Sequence, residues 1–111
     1  MNCLFCKIVA GEIPTDRVAE NDRAIAFNDI NPQAPTHVLV IPRLHCENAA
    51  ELAEKDHESL RELFSLAAKI AADRGLQGYR TVFNTGAEVG QSVFHAHLHL
   101  LGGRALQWPP G

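Results

Sequence analysis

A chain of 111 residues, 46% hydrophobic and 21% charged, is sized and composed for one globular domain spanning residues 1–111. A net charge of -3 with no Lys/Arg cluster argues against a protein that grips polymeric nucleic acid through its backbone, while leaving a single nucleotide open as a ligand. No uninterrupted apolar run approaches membrane-spanning length and no basic region precedes one at the N-terminus, so no membrane association or secretion is expected and a cytoplasmic setting is.

Met1 to Gly11 reads as a short helical segment with Leu4, Phe5, Ile8 and Val9 on one stripe and Gly11 as its stop. Cys3 and Cys6 form a C-x-x-C, but no strand precedes them as in a thioredoxin-like protein. They read as half of a zinc site or as two small buried hydrophobes. The 3 cysteines do not make a disulfide framework.

Two extended runs, Arg17 to Glu20 and Ala24 to Asp29, flank an Asn21-Asp22 turn and predict an antiparallel hairpin. Pro32 and Pro35 stiffen the loop that follows. At its mouth, Asp29 is suited either to accept two hydrogen bonds from a vicinal diol such as a ribose or to cap the turn. His37 to Ile41, closed by Pro42, is apolar on both faces and reads as a central strand, with His37 at its start. His45, in the loop beyond, is a candidate second half of a metal site.

From Asp56 to Gly75 the period becomes helical, with Leu60, Leu63, Phe64, Ala67, Ile70 and Ala71 on one stripe and Asp56 as N-cap. His57 in its first turn reads as a solvated surface residue. Tyr79 to Asn84 reads as a further strand. The loop after it holds Gly86 and Gly90, and Asn84, Gln91 and Ser92 add side-chain donors of the kind that surround an anion.

Phe94 to Leu101 alternates strictly, which predicts a strand with Phe94, Ala96, Leu98 and Leu100 on an apolar face. His95, His97 and His99 would then line the other face, about 7 Å apart. One histidine on a half-exposed strand is ordinary; three in register point to chemistry, because imidazole serves as nucleophile, acid, base or ligand near neutral pH. Beyond them Trp108 has no sequence left to cover it, which predicts a second copy of the chain as its partner.

The run His95-Ala96-His97-Leu98-His99-Leu100-Leu101 resembles the signature of the histidine triad superfamily. Asp29-Ile30-Asn31-Pro32-Gln33-Ala34-Pro35-Thr36-His37, Gly90-Gln91-Ser92-Val93, Gly102-Gly103-Arg104 and Trp108-Pro109-Pro110-Gly111 resemble its Hint branch, so that the likeness covers nearly the whole chain. The resemblance implies an α+β fold: a five-stranded antiparallel sheet with one long and one short helix, pairing into a ten-stranded sheet in a homodimer. It further implies a purine nucleotide-binding hydrolase that cleaves the phosphorus–nitrogen bond of adenosine phosphoramidates and acts on aminoacyl adenylates.

By position, the resemblance makes His97 the nucleophile that takes the nucleotidyl group, with His37, His95 and His99 around it. Ser92 or a neighbouring histidine would relay the leaving group's proton, and Asn84 and Ser92 would contact phosphate or leaving group. Asp29 would bind the ribose, Ile30, Gly90 and Gln91 would complete the nucleotide site, and Trp108 would reach the partner's site. Catalysis would need no cofactor. Cys3, Cys6, His45 and His95 resemble the zinc site of some bacterial relatives, in which case His95 is a structural ligand. Competing readings are a zinc hydrolase with the three histidines as direct ligands, a non-catalytic nucleotide-binding regulatory dimer and a dinucleoside polyphosphate hydrolase.

Overall fold

The computed structural model describes residues 3–111; the first two residues of the N-terminal helical expectation, Met1 and Asn2, lie outside them. Five strands run in chain order as β1 (Arg17–Glu20), β2 (Ala24–Asn28), β3 (Thr36–Pro42), β4 (Tyr79–Val82) and β5 (Leu98–Gly102). They form one sheet of order β1-β2-β3-β5-β4 with every neighbouring pair antiparallel. The hairpin turn between β1 and β2 is set by Asn21, whose Oδ1 accepts the amides of Arg23 and Ala24 at 2.9 and 2.8 Å.

Three helices accompany the sheet: α1 (Leu4–Val9), α2 (Ala49–Lys55) and α3 (His57–Asp73). The expectation of one long and one short helix is corrected by α2. Its local cause is an N-cap: Asn48 Oδ1 accepts the Glu51 amide at 2.9 Å, and the Glu51 carboxylate reaches back past the cap to accept the Glu47 amide at 3.1 Å. Asp56 then ends α2 and caps α3, accepting from the Ser59 amide at 3.2 Å and the Ser59 hydroxyl at 2.6 Å.

Because side chains alternate along a strand, β3 delivers two different surfaces. Val38 and Val40 join Ala24, Ala26, Leu98 and Leu100 under Leu52 of α2 and Leu63, Leu66, Ala67 and Ile70 of α3. Leu66, rather than the predicted Phe64, completes the buried stripe of α3, and Phe64 is 44% exposed. On the opposite face Leu39 and Ile41 join Ile25 and Phe27 under Phe5 and Ile8 of α1. This second face ends in His37 and His99, and it carries the site.

The predicted strand over 94–101 is shorter and shifted: β5 begins only at Leu98. Ala96 donates its amide to the Cys46 carbonyl in the β3–α2 connection, at 2.7 Å. His95 is fully buried and Phe94 exposed. His95 and His97 therefore lie on the irregular approach to the strand and only His99 belongs to it, yet the faces still alternate: Ala96, Leu98 and Leu100 join the first core, while Phe5 on the other face packs against His95 and His97.

Candidate active site

A cleft of about 680 Å³ opens on the second face of the sheet. Its volume lies in the range of small-molecule sites. Phe5, Ile8, Phe27 and Leu39 give it apolar walls, and Asp29, Ser92, His97 and His99 give it a polar end. Ile30 stands fully exposed at its rim. The apolar stripe of α1 is legible in the sequence, but its role as a cleft wall is not, because no local signal shows what a stripe packs against.

Hydrogen bonds decide which nitrogen of each histidine carries the proton. His97 Nδ1 lies 2.8 Å from the His95 carbonyl oxygen, and a carbonyl only accepts, so Nδ1 is protonated. That leaves the lone pair on Nε2. His37 Nδ1 accepts the Gln33 amide at 3.0 Å, so the His37 proton is on Nε2, which lies 2.9 Å from His99 Nδ1 and 3.3 Å from Asp29 Oδ2. His99 Nδ1 is then the acceptor and its Nε2 bears the proton. That Nε2 is buried and has no protein partner, an arrangement that suits a donor awaiting a ligand oxygen.

Burial lowers the basicity of His37, His95 and His99 and so favours their neutral forms. Burial, reinforced by His97 and His37, lowers His99 from 6.5 to about 4. Burial also lowers His37, outweighing the Asp29 carboxylate beside it, and lowers His95 against the opposing bond to Pro42.

His95 turns its nitrogens to other partners, although its ring packs on the same Phe5 as that of His97. Its Nε2–H donates to the Pro42 carbonyl at 2.9 Å, which turns the Nδ1 lone pair towards Cys3, Cys6 and His45. His95 Nδ1 is 3.5 Å from Cys3 Sγ, 3.6 Å from Cys6 Sγ and 3.2 Å from His45 Nδ1, and Cys6 Sγ is 3.3 Å from His45 Nδ1. A tetrahedral Zn²⁺ with ordinary bond lengths separates nitrogen from nitrogen by about 3.3 Å and nitrogen from sulfur by about 3.6 Å. The cluster fits the ion. Cys3 Sγ also accepts the Cys6 amide at 3.4 Å at the start of α1. Burial, and then the adjacent Cys3, push the Cys6 thiol up to about 11, the penalty that a bound cation would reverse.

Asp29, His37 and His99 form a second group of potential metal ligands among the described residues. Their protons oppose that use. A metal on His37 Nε2 would force the proton onto Nδ1, against the Gln33 N–H that points at it.

The remaining predicted residues lie as follows. Asp29 Oδ1 accepts the Asn31 amide at 2.8 Å, so the acid does cap the turn, while its side chain also borders the cleft. Ser92 is exposed at the cleft. Gln91 is buried and fully engaged: its Nε2 donates to the Glu47 and Val93 carbonyls at 2.7 and 3.1 Å, and its Oε1 accepts the Gly86 amide at 2.9 Å. The amides of Gly90 and Gln91 close the loop on Ala87 and Gly86. Asn84 is half-buried, and Trp108 is 81% exposed.

The sequence matches, over residues 2–106, the family described as scavenger mRNA decapping enzyme C-term binding. It is 44% identical over 105 residues to the purine nucleoside phosphoramidase of Escherichia coli (strain K12), covering 93% of this chain and 88% of that protein. It is 47% identical over 111 residues to the 14 kDa zinc-binding protein of Zea mays, covering 97% and 87%. A HIT family hydrolase of Legionella pneumophila Philadelphia 1 shares the fold with a TM-score of 0.94 and 51% identity, over 99% of this chain and 100% of that one. A five-stranded antiparallel sheet presenting this histidine cluster beside a cleft is the arrangement of a nucleotide-handling hydrolase. The chain belongs to the histidine triad superfamily, in its Hint, phosphoramidase branch.

Proposed function

We propose that the protein hydrolyses the phosphorus–nitrogen bond of purine nucleoside phosphoramidates, adenosine phosphoramidates foremost, with aminoacyl adenylates as further substrates. The observation that carries this reading is the bond from His97 Nδ1–H to the His95 carbonyl, which leaves Nε2 as a neutral nucleophile in a cleft of nucleotide size. The Escherichia coli relative, named for phosphoramidase activity, supports the substrate class.

His97 Nε2 attacks phosphorus, and the phosphorus–nitrogen bond breaks with its electron pair leaving on the amine, which takes up a proton. Ser92 at the cleft, or a neighbouring histidine, passes that proton on, a contribution of about 10²- to 10⁴-fold when a donor is well placed. Water then attacks the nucleotidyl-histidine, releasing the nucleoside monophosphate and restoring His97. The His99 Nε2–H donates to a phosphoryl oxygen as charge grows there. Asp29 accepts from the ribose with the oxygen capacity its turn leaves free, and Phe5, Ile8, Phe27 and Leu39 enclose the base. Ile30 closes the rim, while Asn84, Gly90 and Gln91 shape the loop that brings Ser92 to the phosphate.

Cys3, Cys6, His45 and His95 would hold a zinc ion whose four protein ligands leave no open position, so that it supplies rigidity. The chain works as a homodimer. β4 is a sheet edge, Tyr79 on it and Phe64 near its end are 47% and 44% exposed, and Trp108 is 81% exposed, so pairing two β4 edges extends the sheet to ten strands. No helix among the described residues is long and apolar enough to cross a membrane, and the free cysteines suit the reducing cytoplasm.

The test is AMP release from adenosine 5'-phosphoramidate by the wild type and by His97→Ala, both in chelator. Release by the wild type and none by the variant is expected. Binding of AMP without turnover would instead identify a regulatory nucleotide-binding dimer, and activity restored only by added zinc would identify either a metal hydrolase or a fold that depends on the metal.

A further inference from the structure

The C-x-x-C that opens α1 brackets Leu4 and Phe5, and both line the nucleotide cleft. The Phe5 ring stands edge-on to three neighbours: His97 at 5.2 Å and 89°, His95 at 5.9 Å and 74°, and Phe27 at 5.6 Å and 75°. One residue thus touches the nucleophile, a metal-cluster member and the apolar wall. Further along α1, Ile8 packs into the same face and its carbonyl accepts from Arg17 at 3.0 Å. The beginning of the helix has a different anchor, namely the sulfurs of Cys3 and Cys6 beside His45 and His95.

His95 links the two sites a second time. Its ring belongs to the cysteine cluster while its carbonyl fixes the tautomer of His97. A displacement of the His95 ring is therefore transmitted through one peptide unit to the nucleophile, and a displacement of α1 is transmitted through Phe5 to the surface on which the base rests. Both routes are short and packed, the condition under which two sites share free energy.

We propose that the Cys3–Cys6–His45–His95 cluster is a clamp on the nucleotide site: a metal held there fixes α1, and through Phe5 and the His95 peptide sets the cleft wall and the orientation of His97. The inference rests on the nucleotide-hydrolase reading for the ligand of the cleft, but the coupling itself is defined by α1. It makes metal occupancy a determinant of nucleotide affinity, not only of thermal stability. Linkage adds a reciprocal requirement: nucleotide must tighten metal binding by the factor by which metal tightens nucleotide binding.

The experiment uses the full-length chain, zinc and AMP. AMP affinity is measured by calorimetry on zinc-loaded and chelator-stripped protein, and zinc affinity by competition with a chromophoric chelator, with and without saturating AMP. Hydrogen exchange follows residues 4–10, and circular dichroism reports the fold. Stripping should weaken AMP binding on the order of tenfold, AMP should tighten zinc by the same factor, and α1 should lose protection while the sheet keeps its own. Cys3→Ser/Cys6→Ser should behave as stripped protein at every zinc concentration. Phe5→Ala should keep zinc and bind AMP weakly in both states.

Zinc that binds without changing AMP affinity or α1 exchange would overturn the clamp, as would failure to bind zinc. Unfolding of the whole chain on stripping would overturn it too, since the metal would then hold the fold and not the wall. If AMP binds neither form but α1 protection still follows zinc, the nucleotide reading fails and the clamp on α1 stands.

Discussion

His37 donates its Nε2–H to His99 Nδ1 across 2.9 Å, and the pair lies on the same sheet face where β3 and β5 run side by side. The bond requires a neutral His99, the Gln33 amide on His37 Nδ1 requires a neutral His37, and burial, with His97 and His37 nearby, lowers His99 to about 4. An unfolded chain binds protons at His99 below about 6.5, whereas the folded one resists them down to about 4. Stability contributed by this site is therefore complete above pH 6.5 and is lost as pH falls towards 4. Urea midpoints should decline through that window, and His99→Gln should flatten the decline. An unchanged slope in the variant would assign the acid sensitivity elsewhere.

The nucleophile assignment makes a sharper demand than loss of activity. His97→Gly should cost at least about 10³-fold in turnover while preserving AMP binding, because the group removed acts on phosphorus and not on the base. Free imidazole should restore part of the rate by entering the vacated space. Assays over an imidazole series would show saturable rescue; a variant indifferent to imidazole would argue that position 97 serves geometry alone.

Asn48 is the residue whose side chain starts α2. Its replacement by Ala removes one bond from an otherwise unpartnered helical amide, and the expected loss is about 1 kcal/mol of unfolding free energy. Chemical denaturation measures it directly. Turnover should be unchanged, since Asn48 contacts neither the cleft nor the cysteine cluster.

Phe64 is an apolar residue left outside its own helix's buried stripe, 6.0 Å from Phe83. If the β4 edge pairs between subunits, Phe64→Asp places a charge at that seam and should yield monomers at concentrations where the wild type sediments as a dimer. Monomeric wild-type protein would leave Phe64 and Tyr79 as an exposed patch without this partner.

The five strands and α3 are legible because their patterns are local: extended runs about the Asn21-Asp22 turn for β1 and β2, apolar residues on both faces of β3, a 3.6-residue period from Leu60 to Ala71. The Asn48-x-x-Glu51 N-cap was equally local and sufficed to reveal α2, yet the seven-residue helix has too short a stripe to stand out from a loop. The candidate site was legible as an inventory, and the grouping of Cys3 and Cys6 with His45 and His95, and of His37 with His99 and Asp29, is what the fold assembles. What alternation misjudged is the length of the strand. Ala96, Leu98 and Leu100 keep to one face and Phe5 packs on His95 and His97 from the other, but Ala96 bonds to Cys46 rather than to a strand neighbour, and β5 starts only at Leu98. Long-range contacts of that kind leave no periodic trace.

The acceptor that fixes His97 belongs to the peptide linking His95 to Ala96, so every side-chain substitution at position 95 leaves that oxygen in the chain. A scan of genetic variants would thus record His95 only through its ring, and would assign it to metal binding while overlooking its part in catalysis. Replacing that amide with an ester, by semisynthesis with the hydroxy-acid counterpart of Ala96, makes the same oxygen a poorer acceptor, removes the Ala96 N–H that bonds the Cys46 carbonyl, and leaves all the side chains intact. The change would touch the chemistry at phosphorus by editing a single backbone atom.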